Sequence, residues 1–163
     1  MSNETNTPAT TNNINAKTLI GGLLVAFGYA DASKVEEAFA WQKSERDAGR
    51  DPGFIGKILV DRGICSVEQR EFALEVQKHL RDTHERTTNL VELNEKSLIG
   101  RILVALGFTE DEKVEEAFAW QKSERDAGRD PGFIGKILVD RNIVTAEQRD
   151  YGMKVQNALR RVS

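Results

Sequence analysis

The side chains that most often bind metals or act as nucleophiles are scarce in this chain of 163 residues. His79 and His84 lie five residues apart, and Cys65 is the only cysteine, so a metal site would lack further ligands. No partnered histidine marks Cys65 as a nucleophile. Ser, His and Asp show no recognisable catalytic spacing, and no Gly-x-x-x-x-Gly-Lys-Ser/Thr phosphate loop occurs. We therefore expect solvated histidines, no metal or other cofactor, and a protein that binds rather than catalyses.

Glycine is the more informative residue type. Four glycines stand one turn into predicted helices, where each costs roughly 0.5–1 kcal/mol relative to alanine. Two explanations for glycine at these positions remain open: the close approach of another helix, or the close approach of a ligand to bare backbone. The four residues are Gly21, Gly56, Gly100 and Gly135.

These glycines belong to a unit of 24 residues that occurs four times, at residues 19–42, 54–77, 98–121 and 133–156. Each unit has Gly third, Val seventh and Gln last. The units form two pairs, so that Lys34 of the first pair recurs as Lys113 of the second. The same eleven letters, KSERDAGRDPG, separate the members of each pair. The chain is therefore four copies of one unit, arranged two by two.

Each unit predicts two helices joined by a tight turn. Apolar residues at i, i+3, i+4 and i+7, such as Ile20, Leu23, Leu24 and Phe27, form one helical face. The tenth position suits the left-handed conformation that ends a helix, because Gly adopts it freely and Asn tolerates it. That position holds Gly28, Gly63, Gly107 and Asn142.

The second helix of each unit begins with a capping signal. Capping boxes are predicted at Ser66 with Gln69, Thr109 with Glu112, and Thr145 with Gln148, and Asp31 or Ser33 is expected to cap in the first unit. Asp51 and Pro52 are expected to open the next helix. The sequence predicts eight helices, no strand, and an all-α fold of four repeated helical hairpins.

The two halves are identical over residues 34–62 and 113–141 but differ on either side of this block. Residues that usually face water, among them Lys43, Arg46 and Asp47, are preserved with the rest. Identity at solvated positions indicates a binding demand or an interface used twice; recent copying between the halves is the alternative. Trp41 and its repeat Trp120 are either core residues or interface anchors.

Composition excludes several classes of protein. The net charge of -3 leaves no electrostatic footprint for nucleic acid. No apolar run approaches the roughly 20 residues of a membrane span, and the polar N-terminus does not resemble a signal peptide. A single cysteine fits a cytoplasmic setting. We expect a disordered tail over residues 1–15, a first domain over 16–83, a linker over 84–95 and a second domain over 96–163.

The 24-residue motif resembles the N-terminal, MshE-type (MshEN) domain of the ATPases that drive type II secretion and type IV pili. In that family two tandem motifs form one domain that binds cyclic di-GMP. The resemblance covers residues 19–77 and 98–156 and implies two tandem MshEN-like domains without the ATPase. It also implies one ligand face in each half. The first would comprise Leu19, Ile20, Gly21, Gln42, Phe54, Ile55, Gly56 and Gln77, and the second Leu98, Ile99, Gly100, Gln121, Phe133, Ile134, Gly135 and Gln156.

The chain departs from the family pattern at its first position, where all four units have Leu or Phe in place of a leading arginine. Arginine there suits stacking on guanine. Other arginines are candidates to replace it and to meet phosphates: Arg50, Arg70, Arg129 and Arg149. The spacer of eleven residues is also longer than that of the family.

Two functions follow. The first is a tandem cyclic di-GMP receptor, a regulatory binding protein that acts on a protein partner. The alternative is a protein-interaction adaptor that keeps the fold but binds no nucleotide. The missing leading arginines favour the adaptor, and the duplicated block fits both.

Overall fold

The computed structural model describes residues 13–161, and within them all regular structure is helical. The all-α prediction is confirmed, with eight helices in this part of the chain. Short and long helices alternate in the order that the repeat predicts. They are α1 (Ile20–Ala26), α2 (Ala32–Asp47), α3 (Ile55–Asp61), α4 (Val67–Thr87), α5 (Ile99–Ala105), α6 (Asp111–Asp126), α7 (Ile134–Asp140) and α8 (Ala146–Arg160).

Each short helix places its apolar face in the core, as predicted. Leu23, Leu24 and Phe27 are fully buried around α1, and Ile102 and Leu103 are fully buried on α5. The turn after each short helix has the predicted left-handed residue, with φ between 57° at Asn142 and 80° at Gly107. A residue with a bulkier branched side chain would be strained there.

Two of the three predicted capping boxes are present. Ser66 and Thr145 each accept a hydrogen bond from the backbone N–H three residues on, and the glutamine at that position returns one. The box predicted at Thr109 is wrong, because Glu110 takes the N-cap position of α6. Asp31 does occupy the N-cap of α2, but its side chain makes no capping hydrogen bond.

The predicted start of α3 at Asp51 and Pro52 is also wrong. The Asp51 carboxylate accepts a hydrogen bond from the Gly53 N–H, and Gly53 itself has a φ of 79°. This left-handed residue prevents the helix from starting earlier, so Phe54 becomes the N-cap of α3.

The two halves meet around an approximate two-fold axis. Ile14 and Leu93 occupy equivalent positions in the two halves and exchange both backbone hydrogen bonds at 2.7 Å, as an isolated antiparallel bridge. Phe72 and its repeat Tyr151 also contact each other, with ring centroids 5.9 Å apart. Contact between equivalent residues is expected only at a two-fold axis, so the halves pair as a symmetric dimer would.

Core residues of both halves form one contiguous cluster that includes Phe27, Leu80, Leu106 and Leu159. Ile14 and Leu93, which lie inside the predicted tail and the predicted linker, are fully buried in it. The helix α4 also continues to Thr87, into the predicted linker. Most of the predicted disordered tail, residues 1–12, lies outside the described residues. The division into two domains stays a prediction.

None of the helices within residues 13–161 combines the length and the apolar character that are needed to cross a lipid bilayer.

Candidate binding surfaces

The four glutamines that end the units bind the backbone of neighbouring units. Gln42 donates through Nε2 to the carbonyl of Gly53 at 2.9 Å, and Gln77 donates to the carbonyl of Thr18 at 3.1 Å. Each acceptor immediately precedes the N-cap of a short helix, so the two units of a pair hold each other reciprocally. Gln121 and Gln156 repeat these bonds in the second half, to Gly132 and Ser97. The side-chain amides of the glutamines that the resemblance assigns to a ligand therefore donate hydrogen bonds to the segments that precede the short helices.

The motif glycines lie under side chains of the following long helix. A methyl group at Gly21 would lie 2.8 Å from Cγ1 of Val35, and one at Gly100 would lie 2.6 Å from Cγ1 of Val114. At Gly56 and Gly135 the neighbours are the aliphatic parts of Arg70 and Arg149, at 3.3 and 3.5 Å. Of the two causes left open by the sequence, helix packing accounts for Gly21 and Gly100.

The candidate arginines are paired with carboxylates. Arg50 donates two hydrogen bonds to Glu45, at 2.6 and 2.7 Å, and these bonds lower the pKa of Glu45 and raise that of Arg50. Arg129 and Glu124 repeat this arrangement. Arg70 pairs with Glu71, and Arg149 pairs with Asp150. A bound phosphate would have to compete with these carboxylates.

The first residue of each unit is exposed, whereas the second is buried or half-buried. Leu19 and Leu98 are 60% and 58% exposed, and Phe54 and Phe133 are both 86% exposed. All four are N-cap residues of short helices, with extended backbone that turns the side chain away from the core. The second residues are Ile20 and Ile99, which are buried, and Ile55 and Ile134, which are half-buried.

Trp41 and Trp120 are not core residues. Both are 38% exposed, and each ring lies beneath an arginine. The guanidinium carbon of Arg62 is 4.6 Å from the ring centroid of Trp41, and that of Arg141 is 5.4 Å from the ring of Trp120. Sequence reasoning did not select either arginine, although Arg62 is the last residue of the identical block.

We call Trp41, Arg62 and Phe54 the first docking surface: Arg62 lies over Trp41, and Phe54 is exposed at the opposite end of α3. Phe54 and Arg62 are the two caps of α3, and Trp41 precedes Gln42, whose hydrogen bond holds Gly53 next to Phe54. Trp120, Phe133 and Arg141 form the second docking surface in the same way. All six residues belong to the identical block.

A second repeated element also escaped sequence reasoning. Asn15 and Asn94 begin matching turns in which the backbone N–H of each asparagine donates to the hydroxyl of Thr18 or Ser97 at 2.9 Å. The signal was the pair NAKT and NEKS at equivalent positions of the two halves. This turn places the carbonyls that Gln77 and Gln156 bind.

The histidines and the cysteine are placed differently from one another. The prediction of solvated histidines is wrong for both. His79 is half-buried, because its ring packs edge-on against Phe108 and Tyr151, and His84 is half-buried with its Nδ1 shielded from solvent. Burial raises the pKa of the Cys65 thiol, partly offset by Arg70, so the thiolate is disfavoured. Within residues 13–161, no group of three or more His, Cys, Asp or Glu side chains could hold a metal ion.

Four grooves on the described surface are lined by residues other than those of the docking surfaces. One of them has a volume of about 500 Å³ and lies between the end of α4 and the turn before α6, with Arg86, Gly107 and Thr109 in its wall. Another, of about 560 Å³, lies beside Leu98 and Phe118. Leu98 is the one predicted ligand residue in these two grooves.

Comparison of the chain with protein-family models, with curated proteins and with solved structures gives no match in any of the three.

Proposed function

We propose that this protein is a non-catalytic adaptor that binds a protein partner through its two docking surfaces, one in each half. The observation that carries the proposal is the 86% exposure of Phe54 and of Phe133 within a block that is identical in both halves. Single exposed apolar residues are ordinary on protein surfaces. Here, however, a phenylalanine, a tryptophan and an arginine recur together. Tryptophan and arginine are among the residue types that dominate binding energy at protein interfaces, and phenylalanine is enriched there.

The groups assigned to nucleotide by resemblance favour a protein partner over a nucleotide. The glutamine amides hold loops, the spacer arginines are paired with glutamates, and Gly21 lies under Val35. Small ligands favour concave sites, whereas the docking surfaces lie outside the larger grooves. A partner protein needs no such groove.

The experiment that tests the adaptor is proximity cross-linking from the docking surfaces. A photoreactive amino acid at position 54 or 133 is expected to capture the same partner in cells, and Trp41→Ala with Trp120→Ala is expected to abolish that capture. The reactive residue at position 153 is the matched control, because Met153 is exposed but lies outside the identical block. Equal capture from all three positions, or none from the first two, would contradict the proposal.

A second candidate function is the cyclic di-GMP receptor implied by the resemblance. The observation in its favour is the reciprocal glutamine bonding, which relates the two units of each half by an approximate two-fold. Cyclic di-GMP has two equivalent halves, so a pair of matching units suits it. The four exposed first residues, Leu19, Phe54, Leu98 and Phe133, would then cover the bases.

Calorimetric titration with cyclic di-GMP tests this candidate. Saturable micromolar binding with about two sites per chain would support the receptor. Gly56→Ala and Gly135→Ala offer a clean probe, since a methyl group there meets only flexible arginine side chains. Lost affinity with unchanged stability would mean that a base contacts the glycines. If no heat of binding is detected at millimolar cyclic di-GMP, the receptor function is contradicted and the adaptor function remains.

A further inference from the structure

We propose that each docking surface recognises an extended peptide segment that carries a carboxylate and an apolar side chain about four residues apart. This inference deepens the adaptor function and rests on it. It assigns a role to Arg62 and Arg141, which neither the repeat pattern nor the resemblance selects.

Both arginines of the docking surfaces lie over tryptophan rings. The guanidinium carbon is 4.6 Å from the ring centroid for Arg62 over Trp41 and 5.4 Å for Arg141 over Trp120, within the range of a cation–π contact. Within residues 13–161, neither Arg62 nor Arg141 forms a side-chain hydrogen bond or an ion pair. A planar guanidinium that is held on an aromatic ring, with its N–H donors unbound, can bind a carboxylate through two hydrogen bonds.

Neighbouring ion pairs leave the charge of each of these arginines uncompensated. On α3, Lys57 is paired with Asp61, which leaves the C-cap Arg62 as the uncompensated charge at that end of the helix. On α7, Lys136 and Asp140 pair in the same way and leave Arg141. Glu45, one turn after Trp41 on α2, is already paired with Arg50. An acidic partner therefore complements both surfaces.

The spacing of Phe54 and Arg62 fits an extended peptide. Phe54 and Arg62 cap opposite ends of α3, eight residues apart, which corresponds to about 12 Å along the helix axis. An extended peptide covers that distance in about four residues. One peptide segment can therefore place an apolar side chain against Phe54 and a carboxylate against Arg62.

The test is selection from a random peptide library displayed on phage, with the whole protein immobilised. We expect the enriched peptides to combine Asp or Glu with a large apolar residue at the predicted spacing. We also expect the enrichment to disappear with Arg62→Ala and Arg141→Ala together. Because Trp41 and Trp120 are the only tryptophans, binding of a synthetic copy of an enriched peptide is expected to change the tryptophan fluorescence.

Replacement of both members of the Lys57–Asp61 pair and of the Lys136–Asp140 pair by alanine is the matched control, because it leaves the net charge of each helix and the arginines over the tryptophan rings unchanged. We expect the affinity of this variant for the selected peptide to stay within about twofold of that of the parent. The arginine variant should bind at least about tenfold more weakly, because it removes one member of a charge pair that the complex would bury. Raising the salt concentration is expected to weaken the parent's binding.

Several results would overturn the inference. Enrichment of basic or uncharged peptides, no enrichment at all, or equal losses in the ion-pair and arginine variants would each do so. Fluorescence changes with cyclic di-GMP that depend on Arg62 would assign the arginine to a nucleotide instead. The adaptor function would survive these outcomes if cross-linking from position 54 still captured a partner, so the two proposals fail separately.

Discussion

Individual residues of the repeated motif have roles that differ between the units. The glycine at the third position of each unit is the clearest example: in two units it lies against a stiff valine, and in two against a flexible arginine side chain. The second-helix caps also differ, since Ser66 and Thr145 form capping boxes and Thr109 does not. Identical letters in a repeat therefore predict different mutational effects.

Alanine at the glycine positions is expected to separate the units into two classes. Gly21→Ala and Gly100→Ala should each destabilise the protein by about 1–3 kcal/mol, because the methyl group overlaps Val35 or Val114. Gly56→Ala and Gly135→Ala should be neutral or stabilise it by up to about 1 kcal/mol, since alanine favours the helix and the arginine side chain can shift. Urea unfolding of the four variants measures these differences. Equal losses in both classes would contradict the packing explanation.

Thr109 and Thr145 form a second contrast between repeated positions. The Thr109 hydroxyl is buried without a hydrogen-bond partner in the described part of the chain, so Thr109→Val is expected to be neutral or stabilising. Thr145→Val removes a capping box and should cost about 1 kcal/mol. Thermal unfolding distinguishes the two, and a loss at Thr109 as large as that at Thr145 would show that the Thr109 hydroxyl has a stabilising partner.

The short helices are the elements that depend most on their neighbours. Each has seven residues and no side-chain cap, so its start is held by a glutamine from a long helix. Isolated helices of this length are unstable in water. The reciprocal glutamine bonds therefore join the two units of each half into one structure.

Gln42→Ala is expected to loosen the start of α3 and to leave α7 unchanged. The carbonyl of Gly53 loses its donor, which should cost about 1–3 kcal/mol. Amide exchange should accelerate at residues 58–61, because the Ile58 N–H, bonded to the Phe54 carbonyl, begins the hydrogen-bonded part of α3. Residues 137–140 of the same molecule are the control, because Gln121 still binds Gly132 and the Ile137 N–H still bonds to Phe133. Exchange must be measured by NMR, since peptides from within the identical block have equal masses. An equal increase of the amide exchange rates in α3 and α7 would contradict a local stabilisation of α3 by Gln42.

At the scale of the whole molecule, the chain is a covalently joined pair of equivalent halves. The Ile14–Leu93 bridge and the Phe72–Tyr151 contact lie on the approximate two-fold axis. The rings of Tyr29 and Phe108 pack on either side of that contact, against Phe72 and Tyr151 respectively. The larger core cluster takes buried residues from both halves, so disrupting it in one half exposes part of the other, whereas Val114, Ile137 and Leu138 belong to a second cluster within the second half.

The two halves are therefore expected to unfold together. Trp41→Phe leaves Trp120 to report on the second half, and Trp120→Phe leaves Trp41 to report on the first. The two fluorescence transitions in urea should coincide. Leu93→Ala, in the shared core, should lower both midpoints through a loss of about 2–5 kcal/mol. Separate transitions would show that the halves are independent domains, as the sequence division predicts.

Alkaline pH is expected to weaken the contact between the halves. Burial raises the pKa of Tyr151, and it also raises that of Tyr29, where Arg161 partly opposes the effect. A group whose pKa is higher in the folded state gives its full stabilisation below the unfolded value, about 10 for tyrosine, and loses it as the pH rises further. Urea unfolding between neutral pH and pH values above about 10 measures this decline.

Tyr151→Phe is the control for that decline. It removes the ionising hydroxyl, which has no hydrogen-bond partner among the described residues, so the variant should be at least as stable as the parent at neutral pH. Its stability should also fall less steeply in alkali. A decline of unchanged slope would assign the effect to other groups.

The sequence by itself determined the elements of this protein. Periodicity predicted the helices and their buried faces, and the tenth position of each unit predicted the left-handed turns, because both depend on local geometry. Capping was predicted only in part: Ser66 and Thr145 obey the local rule, whereas at Asp51 the left-handed Gly53 delays the start of α3.

Only the tertiary structure decided which groups remain available for binding. The motif glutamines and arginines have the right chemistry for a ligand, yet they are engaged by other partners, some of them distant in sequence, such as Thr18 for Gln77. The stacking of Arg62, at the end of α3, on Trp41 of α2 likewise depends on how helices pack, as does the pairing of Ile14 with Leu93. A repeated sequence specifies the same local structure twice, but the packing of its copies determines which side chains face solvent and which become each other's partners.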